Sequence, residues 1–169
     1  MSRAEEWFDV CDSADRVIGR ELRDVVHARN LLHRAVHIWV WDASGRLLLQ
    51  TRSSSKDQYP NCFTSSASGH LDAGEDYKQA AHRELKEELG LCGPLIFRVK
   101  LPSAGPETAF EHTVLYELTT DEPPQADPGE IAAIQFLTVA EVEERIRQHP
   151  EQFTPPFRML WQATFEVGR

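Results

Sequence analysis

Hydrophobic residues recur at every fourth position between residues 77 and 89, and polar residues fill most of the positions between them. Each residue of a helix advances by about 100° around the axis, so this spacing places the apolar side chains in one stripe. The stripe consists of Tyr77, Ala81, Leu85 and Leu89. Residues 75–89 contain neither Pro nor Gly, and Gly90 follows, as is typical of a helix end. The pattern predicts an amphipathic helix over residues 75–89.

Shorter hydrophobic segments, rich in β-branched and aromatic residues and bounded by turn residues, predict strands. Residues 7–20 are expected to form two short strands around the polar turn at 12–15. The second half of residues 31–41 is expected to form a central strand, which turns back through a hairpin at 42–46. The other predicted strands cover residues 47–50, 62–66, 95–101, 112–118 and 132–137.

Two more helices are predicted near the C-terminus. Thr138 can cap a helix over residues 139–148, and Glu141 is placed to complete a capping box. A final helix is expected to start at Pro155-Pro156 and to run to about Phe165. Strands and helices alternate without a regular βαβ period, which favours an α/β sandwich with a mixed β-sheet. At 169 residues the chain suits one domain with a substantial core, so residues 1–169 are expected to form a single domain.

Composition and charge restrict the partners of this chain. Its 41% hydrophobic and 27% charged residues are ordinary for a soluble globular protein, and no apolar run is long enough to span a membrane. The formal net charge of −9 argues against a nucleic-acid polymer as partner, but not against a small phosphorylated substrate. Three widely spaced cysteines and the lack of a secretory segment favour a reducing compartment, so a cytoplasmic location is expected. The sequence leaves open whether the protein forms an oligomer.

Three glutamates of the predicted helix would lie on one face. Glu84, Glu87 and Glu88 are three and four residues apart, and Glu84 and Glu88 border the apolar stripe. Partly buried like charges repel one another, and a divalent cation with oxygen ligands, such as magnesium, would remove this conflict. Arg83 is the cation of this turn, and Glu75, two turns earlier, is its expected partner. The alternative is that the glutamates form a solvated helix face.

The arrangement around this helix resembles the Nudix box. The spacing is Gly69, five residues, Glu75, seven residues, Arg83-Glu84-Leu85, one residue, Glu87-Glu88, one residue, Gly90-Leu91. Every defining position of that signature is filled. On this resemblance the chain is identified as a member of the Nudix family, with its box at residues 69–91.

Membership implies an α/β/α sandwich with a mixed sheet, in which the box forms a loop, a helix and a second loop. Most members hydrolyse a nucleoside diphosphate linked to another group, using Mg²⁺ or Mn²⁺. By position, the metal ligands would be Glu84, Glu87, Glu88 and the Gly69 carbonyl. Glu87 or Glu88 is the candidate base, and Glu75 would hold the helix in place through Arg83.

A second resemblance extends beyond the box, to isopentenyl-diphosphate isomerase and the hydrolases closest to it. It is carried by His27, Leu32-His33, Arg52, Lys56, Tyr59-Pro60 and Ser68-Gly69-His70. The resemblance implies that Arg52 and Lys56 bind the substrate's diphosphate. Candidates for a second metal site are His27, His33, His70 and Glu111, and candidates for a base from a later loop are Glu111 and Glu130. Taken singly, each histidine also suits a structural role, and each basic residue suits a solvated loop charge.

This chain departs from the isomerase pattern at two positions, of which the first matters most. The isomerases have a catalytic cysteine immediately before the Gly-His pair, where this chain has Ser68, and their tryptophan has no match near Pro156-Phe157. A serine hydroxyl has no accessible pKa near neutrality, whereas a cysteine thiol does. We therefore expect a hydrolase that cleaves a diphosphate bond in a nucleoside diphosphate derivative or a similar small diphosphate. The alternatives are an isomerase without the usual cysteine and a non-catalytic nucleotide-binding module, and the intact acidic residues weigh against the module.

Overall fold

The computed structural model describes residues 6–56, 58–103 and 105–166. The strands are β1 (Trp7–Cys11), β2 (Val17–Leu22), β3 (His33–Trp41), β4 (Leu47–Arg52), β5 (Phe63–Thr64), β6 (Ala67–His70), β7 (Ile96–Leu101), β8 (Glu111–Thr119) and β9 (Ile131–Leu137). The helices are α1 (Arg23–Ala28), α2 (Tyr77–Leu89), α3 (Val139–Gln148) and α4 (Pro155–Trp161). Within this part of the chain, no helix has the length and apolar character needed to cross a bilayer.

Seven strands form one mixed sheet around β3. Its main path is β5-β4-β3-β8-β7, with β6 paired to β3 and β9 paired to β4. β3 runs parallel to β8 along its whole length, and the other pairings between these strands are antiparallel. β3 pairs with β4 only where Trp41 faces Leu47, and β6 pairs with β3 from Ala35 to Ile38. β1 and β2 form a separate antiparallel hairpin.

Helices cover both faces of the large sheet, which confirms the predicted α/β/α sandwich. On one face, α2 packs on β3 in a cluster that includes Val36, Ile38, Val40, Leu85 and Leu89. On the other face, α3 and α4 pack in a cluster that includes Trp39, Leu49, Val142, Phe157 and Trp161. Because strand side chains alternate between faces, the odd-numbered residues of β3 lie on the side of α4.

The capped helices agree well with the sequence. α3 has the predicted capping box between Thr138 and Glu141. α2 begins at Tyr77 rather than at residue 75, because Asp76 is its N-cap and exchanges hydrogen bonds with Gln79 in a capping box of its own. Gly90 ends α2 with φ of 65°, in the left-handed region expected of a C-terminal glycine.

Other elements also differ from the sequence prediction, and β5 is shorter than the strand expected over residues 62–66. α1 was not predicted, because six residues are too few to display a helical period. Gly69, expected in a loop, lies in strand β6 and is paired with Val36 of β3. α4 ends at Trp161, and residues 162–166 continue as a π-helical turn instead of the α-helix expected to about Phe165.

Asp15, in the turn of the β1–β2 hairpin, ties the hairpin to the rest of the fold. Its carboxylate accepts hydrogen bonds from Arg34 Nε at 2.6 Å and from the Tyr77 hydroxyl at 2.9 Å, and it pairs with Lys100. Burial opposes ionisation of Asp15, but these three partners outweigh it and lower the pKa to about 2. Ion pairs therefore anchor the turn to β3 and β7, and a hydrogen bond anchors it to α2.

The same hairpin holds the loop that precedes α2. The Trp7 carbonyl accepts a hydrogen bond from the Ala73 N–H at 2.7 Å. The buried Asp9 carboxylate accepts one from the Gly74 N–H at 2.8 Å. The loop is thus fixed by β1 on one side and by its own helix on the other.

Candidate active site

A cavity of about 1070 Å³ opens among β3, β4, β6 and α2, next to the C-terminal end of α1 and the start of α4. It collects most of the residues that the sequence predicts for the site. These are His27, Arg52, Lys56, Gly69, His70, Arg83, Glu84, Glu87, Glu88, Glu111 and Glu130. His33 and Glu75 do not line it but contact residues that do, Glu111 and Arg83 respectively.

The three glutamates of α2 reach this cavity but differ in exposure. Glu88 is 5% exposed, and its Oε2 accepts hydrogen bonds from Gln50 Nε2 at 2.7 Å and from the Ser68 N–H at 3.3 Å. The Glu84 side chain is 12% exposed and accepts a hydrogen bond from Arg83 Nη1 at 2.6 Å. The Glu87 side chain is 61% exposed. A solvated helix face therefore describes Glu87 alone, while Glu84 and Glu88 lie at the rim of the core.

Burial makes the two inner carboxylates unfavourable without a cation. Burial first, and the charge of Glu88 second, raise the pKa of Glu84 to about 8. Burial also raises the pKa of Glu88 to about 7, against the effect of its hydrogen bond from Gln50. Carboxylate oxygens gathered on one helix face fit Mg²⁺ or Mn²⁺, and such a cation would favour the ionised form of each.

Arg83 joins α2 to the loop before it, in the pairing expected from the sequence. Its Nε and Nη2 lie 3.0 and 2.8 Å from the two carboxylate oxygens of Glu75. Nη2 also donates to the His70 carbonyl at 2.9 Å, and Glu75 accepts from the Asp72 N–H at 3.0 Å. A two-pronged contact of this kind fixes orientation as well as distance, so β6, the loop and α2 are held as one unit.

Gly69 brings β6 into direct contact with α2. A Cβ atom at this position would collide with the carboxylate of Glu84. Glycine therefore allows that carboxylate to lie against the strand, and its backbone is next to the expected metal ligands.

Three histidines converge from α1, β3 and β6. His27, His33 and His70 each offer a ring nitrogen, and these nitrogens all lie within 4.8 Å of one another. Glu111 Oε1 lies 2.8 Å from His70 Nε2 and 3.7 Å from His33 Nε2. The ring of Phe8 packs on all three imidazoles, with centroids 4.9 to 6.0 Å apart. The resemblance to the isomerase grouped these residues as candidates for a second metal site, and the fold brings them together.

The chemistry of this cluster suits a second metal ion, which stays a prediction. Burial, followed by the neighbouring His70, lowers the pKa of His33 to about 4, and burial also lowers the pKa of His70. Both rings are therefore neutral near pH 7 and can use a nitrogen lone pair. His33 Nε2 is buried and lacks a hydrogen-bond partner in the described part of the chain. Neutral imidazoles beside a carboxylate are typical ligands of divalent transition metals.

Arg52 and Lys56 reach the cavity from β4 and the loop after it. The Lys56 side chain is 14% exposed and pairs with the Glu130 carboxylate, so it is not a solvated loop charge. Arg52 Nε donates to the Gln58 carbonyl at 3.1 Å. Glu130, predicted as a base from a later loop, thus lies beside Lys56 in the cavity.

Gln50 and His37 belong to the site but were not predicted. Gln50 lies on β4, 2% exposed, and donates to Glu88. His37 lies on β3, on the same face as His33, and lines the cavity. The sequence signal that could have identified them is a polar residue on one face of a strand whose neighbouring residues are mostly apolar.

The family model of the NUDIX domain matches residues 31–157. This chain belongs to the Nudix family. The matched residues include the segment 69–91 and the whole of α2. The β1–β2 hairpin and α1 lie outside the matched residues.

Relatives of this Nudix protein carry names of both reaction types. An isopentenyl-diphosphate Delta-isomerase of Serratia proteamaculans is 33% identical over 156 residues, which are 89% of this chain and 86% of the relative. A prenyl-diphosphate phosphatase of Methanosarcina mazei is 29% identical over 150 residues, 87% of this chain and 88% of the relative. The crystal structure of DR0079 from Deinococcus radiodurans matches with a TM-score of 0.83 at 25% identity and covers 95% of this chain and 99% of that one. The similarity to isopentenyl-diphosphate isomerase seen in the sequence is thus confirmed.

Ser68 marks the departure from the isomerase pattern inside the Nudix site. It lines the cavity, and no cysteine is among the described residues that do so. Pro156 lines the cavity near the start of α4, where the isomerase tryptophan was not matched, and a tryptophan, Trp7, lines it from β1 instead. The cavity therefore contains histidines at positions that resemble the isomerase pattern, but none of its described lining residues supplies the cysteine thiol of that pattern.

Proposed function

We propose that this Nudix protein is a metal-dependent hydrolase that cleaves the diphosphate bond of a nucleoside diphosphate derivative or a similar small diphosphate. The observation that supports this most is that the buried carboxylates of Glu84 and Glu88 share one cavity with Arg52 and Lys56. Oxygen ligands for a cation and basic groups for phosphate oxygens are the two parts that a diphosphate site requires.

Each side chain has a distinct part in this proposal. Glu84 and Glu88 are buried and held by hydrogen bonds, which suits metal ligands. A bound Mg²⁺ or Mn²⁺ would neutralise phosphate charge and acidify a bound water. Glu87 is largely exposed, so it can accept the proton of the attacking water and pass it to solvent, with Glu88 as the alternative base. Arg52 and Lys56 would hold the diphosphate, for which Lys56 must release Glu130.

Isomerisation of isopentenyl diphosphate is the second candidate. The cluster of His27, His33, His70 and Glu111 favours it, together with the relative that bears the isomerase name. Ser68 argues against it, because moving a proton onto an alkene carbon needs an acid whose pKa is near the working pH. We therefore place hydrolysis first.

A substrate panel tests the proposal. The protein is incubated with ADP, ADP-ribose, geranyl diphosphate and isopentenyl diphosphate, with Mg²⁺ or Mn²⁺, and the products are identified by ion chromatography and mass spectrometry. We expect metal-dependent release of phosphate or a monophosphate from at least one compound, and loss of this activity in Glu84→Gln. Glu122→Gln, which changes an exposed loop glutamate, is the matched control.

Two results would contradict hydrolysis. Conversion of isopentenyl diphosphate to dimethylallyl diphosphate by the wild-type protein would favour the isomerase. Tight binding of a nucleotide with no turnover of any compound would favour the non-catalytic module.

A further inference from the structure

His37 connects the cavity to the aromatic core. It is 5% exposed and lines the cavity, and Trp39, two residues further along the same face of β3, is fully buried. Its Nδ1 lies 2.8 Å from the hydroxyl oxygen of Ser65. The same oxygen accepts a hydrogen bond from Trp39 Nε1 at 2.9 Å.

These contacts determine which nitrogen of His37 carries the proton. An indole N–H only donates, so Trp39 uses a lone pair of the Ser65 oxygen. Ser65 is fully buried, and within the described residues His37 Nδ1 is the acceptor its own O–H can reach. Nδ1 is therefore unprotonated, since the opposite tautomer would leave a buried hydroxyl hydrogen unpaired. Burial also lowers the pKa of His37 to about 4, in agreement with a neutral ring whose proton is on Nε2.

The Nε2–H of His37 is available to a molecule in the cavity. The ring turns Nδ1 towards Ser65, and among the described atoms Nε2 makes no hydrogen bond and is not sealed from solvent. His37 pairs with Ser68 across the antiparallel strands β3 and β6, so the two side chains project from the same face. Ser68 lines the same cavity, and its backbone N–H donates to Glu88. Two uncharged donors thus lie side by side, next to an expected metal ligand.

We propose that His37 Nε2–H and the Ser68 hydroxyl together bind one oxygen of the substrate's diphosphate. This rests on the proposed function, because it assigns a place to the phosphate beside Glu88. Phosphate oxygens have several lone pairs and accept two donors readily, and neutral donors avoid the cost of a second buried cation near Arg52. A Ser-His nucleophile is excluded by the same tautomer, since Nε2 already carries a proton and cannot take that of Ser68.

Binding of a diphosphate that cannot be hydrolysed tests this donor pair. Methylenediphosphonate is titrated into each protein with saturating Mg²⁺ by isothermal titration calorimetry. His37→Leu removes the donor at similar side-chain volume, and we expect Kd to rise by about 10- to 100-fold, as for a hydrogen bond to a charged group. His37→Gln restores an N–H near the position of Nε2 and should bind within about threefold of wild type. Ser68→Ala, which leaves the Ser65 contact intact, should weaken binding about 10-fold.

The tautomer is measured independently in the wild-type protein. Two-dimensional ¹H–¹⁵N spectra of the imidazoles should show His37 protonated on Nε2 alone, and Ser65→Ala should abolish this preference. Protonation on Nδ1, or an unchanged Kd in either His37→Leu or Ser68→Ala, would overturn the inference while leaving metal-dependent hydrolysis intact. Failure of the wild-type protein to bind methylenediphosphonate, with no turnover in the substrate panel, would overturn the proposed function and this inference with it.

Discussion

Replacing Glu84 by glutamine should stabilise the metal-free protein and at the same time abolish its response to metal. Glutamine has the shape of the protonated acid and cannot ionise. Raising the pKa of Glu84 from 4.5 to about 8 corresponds to roughly 5 kcal/mol, at about 1.4 kcal/mol for each pH unit. Water in the open cavity screens part of this cost, so we expect the variant to gain about 1–3 kcal/mol at pH 8.

The direction of the pH dependence of stability follows from the number of protons that the folded and unfolded chains bind. The pKa of Glu84 is higher in the folded protein, so between pH 4.5 and 8 the unfolded chain binds fewer protons than the folded one. The contribution of Glu84 to stability should therefore fall as pH rises through this window, while the lowered pKa values of His33, His37 and His70 act in the opposite direction in both proteins. Relative to the wild type, Glu84→Gln should become more stable as pH rises over this range, because it lacks the cost of ionising Glu84 and keeps the other titrating groups, such as Glu88 with its pKa of about 7. Near pH 4.5 the two proteins should differ little.

Urea unfolding followed by circular dichroism, in EDTA at pH 5 and pH 8, measures this difference. Adding Mg²⁺ at pH 8 should then stabilise the wild type by mass action and leave Glu84→Gln almost unchanged. Glu122→Gln should match the wild type in each condition. Two results would contradict the destabilising burial of Glu84. One is equal stability of metal-free wild type and Glu84→Gln at pH 8, and the other is stabilisation of the variant by Mg²⁺.

Three other substitutions test separate parts of the site. Glu87→Gln should lower kcat at least about 100-fold without changing Tm, because this exposed side chain acts on the reaction; near-normal kcat at saturating Mg²⁺ would remove it from the mechanism. Glu75→Gln should lower the free energy of unfolding in urea by about 1–3 kcal/mol, because Arg83 loses its two-pronged ion pair with Glu75. An unchanged unfolding midpoint would disprove this structural role. Ser68→Cys should not isomerise isopentenyl diphosphate, since one correct group in an unsuitable pocket gains little; conversion by this variant alone would show that the rest of an isomerase site is present.

Local rules explain why α2 could be predicted from the sequence. The apolar stripe and the carboxylate face depend on spacings of three and four residues, and the pairing of Arg83 with Glu75 spans eight positions. The histidine cluster was predicted as a set only through the resemblance to the isomerase, because its assembly depends on α1, which is too short to show a helical period. The contact between His37 and Ser65 spans 28 positions and that between Lys56 and Glu130 joins two distant loops, so neither follows from local pattern.

The boundary of the family match has a consequence for how functions are assigned within the Nudix family. Residues 31–157 carry every carboxylate of the box, but His27 lies on α1 and Phe8, which packs on the histidines, lies on β1. A protein trimmed to the matched segment would keep the three glutamates of α2 and lose His27 from the histidine cluster. The N-terminal hairpin also holds the box, because Trp7 and Asp9 accept hydrogen bonds from the backbone of Ala73 and Gly74. The residues of the box therefore do not describe this cavity completely, and comparison with other members of the family also requires the residues that precede the match.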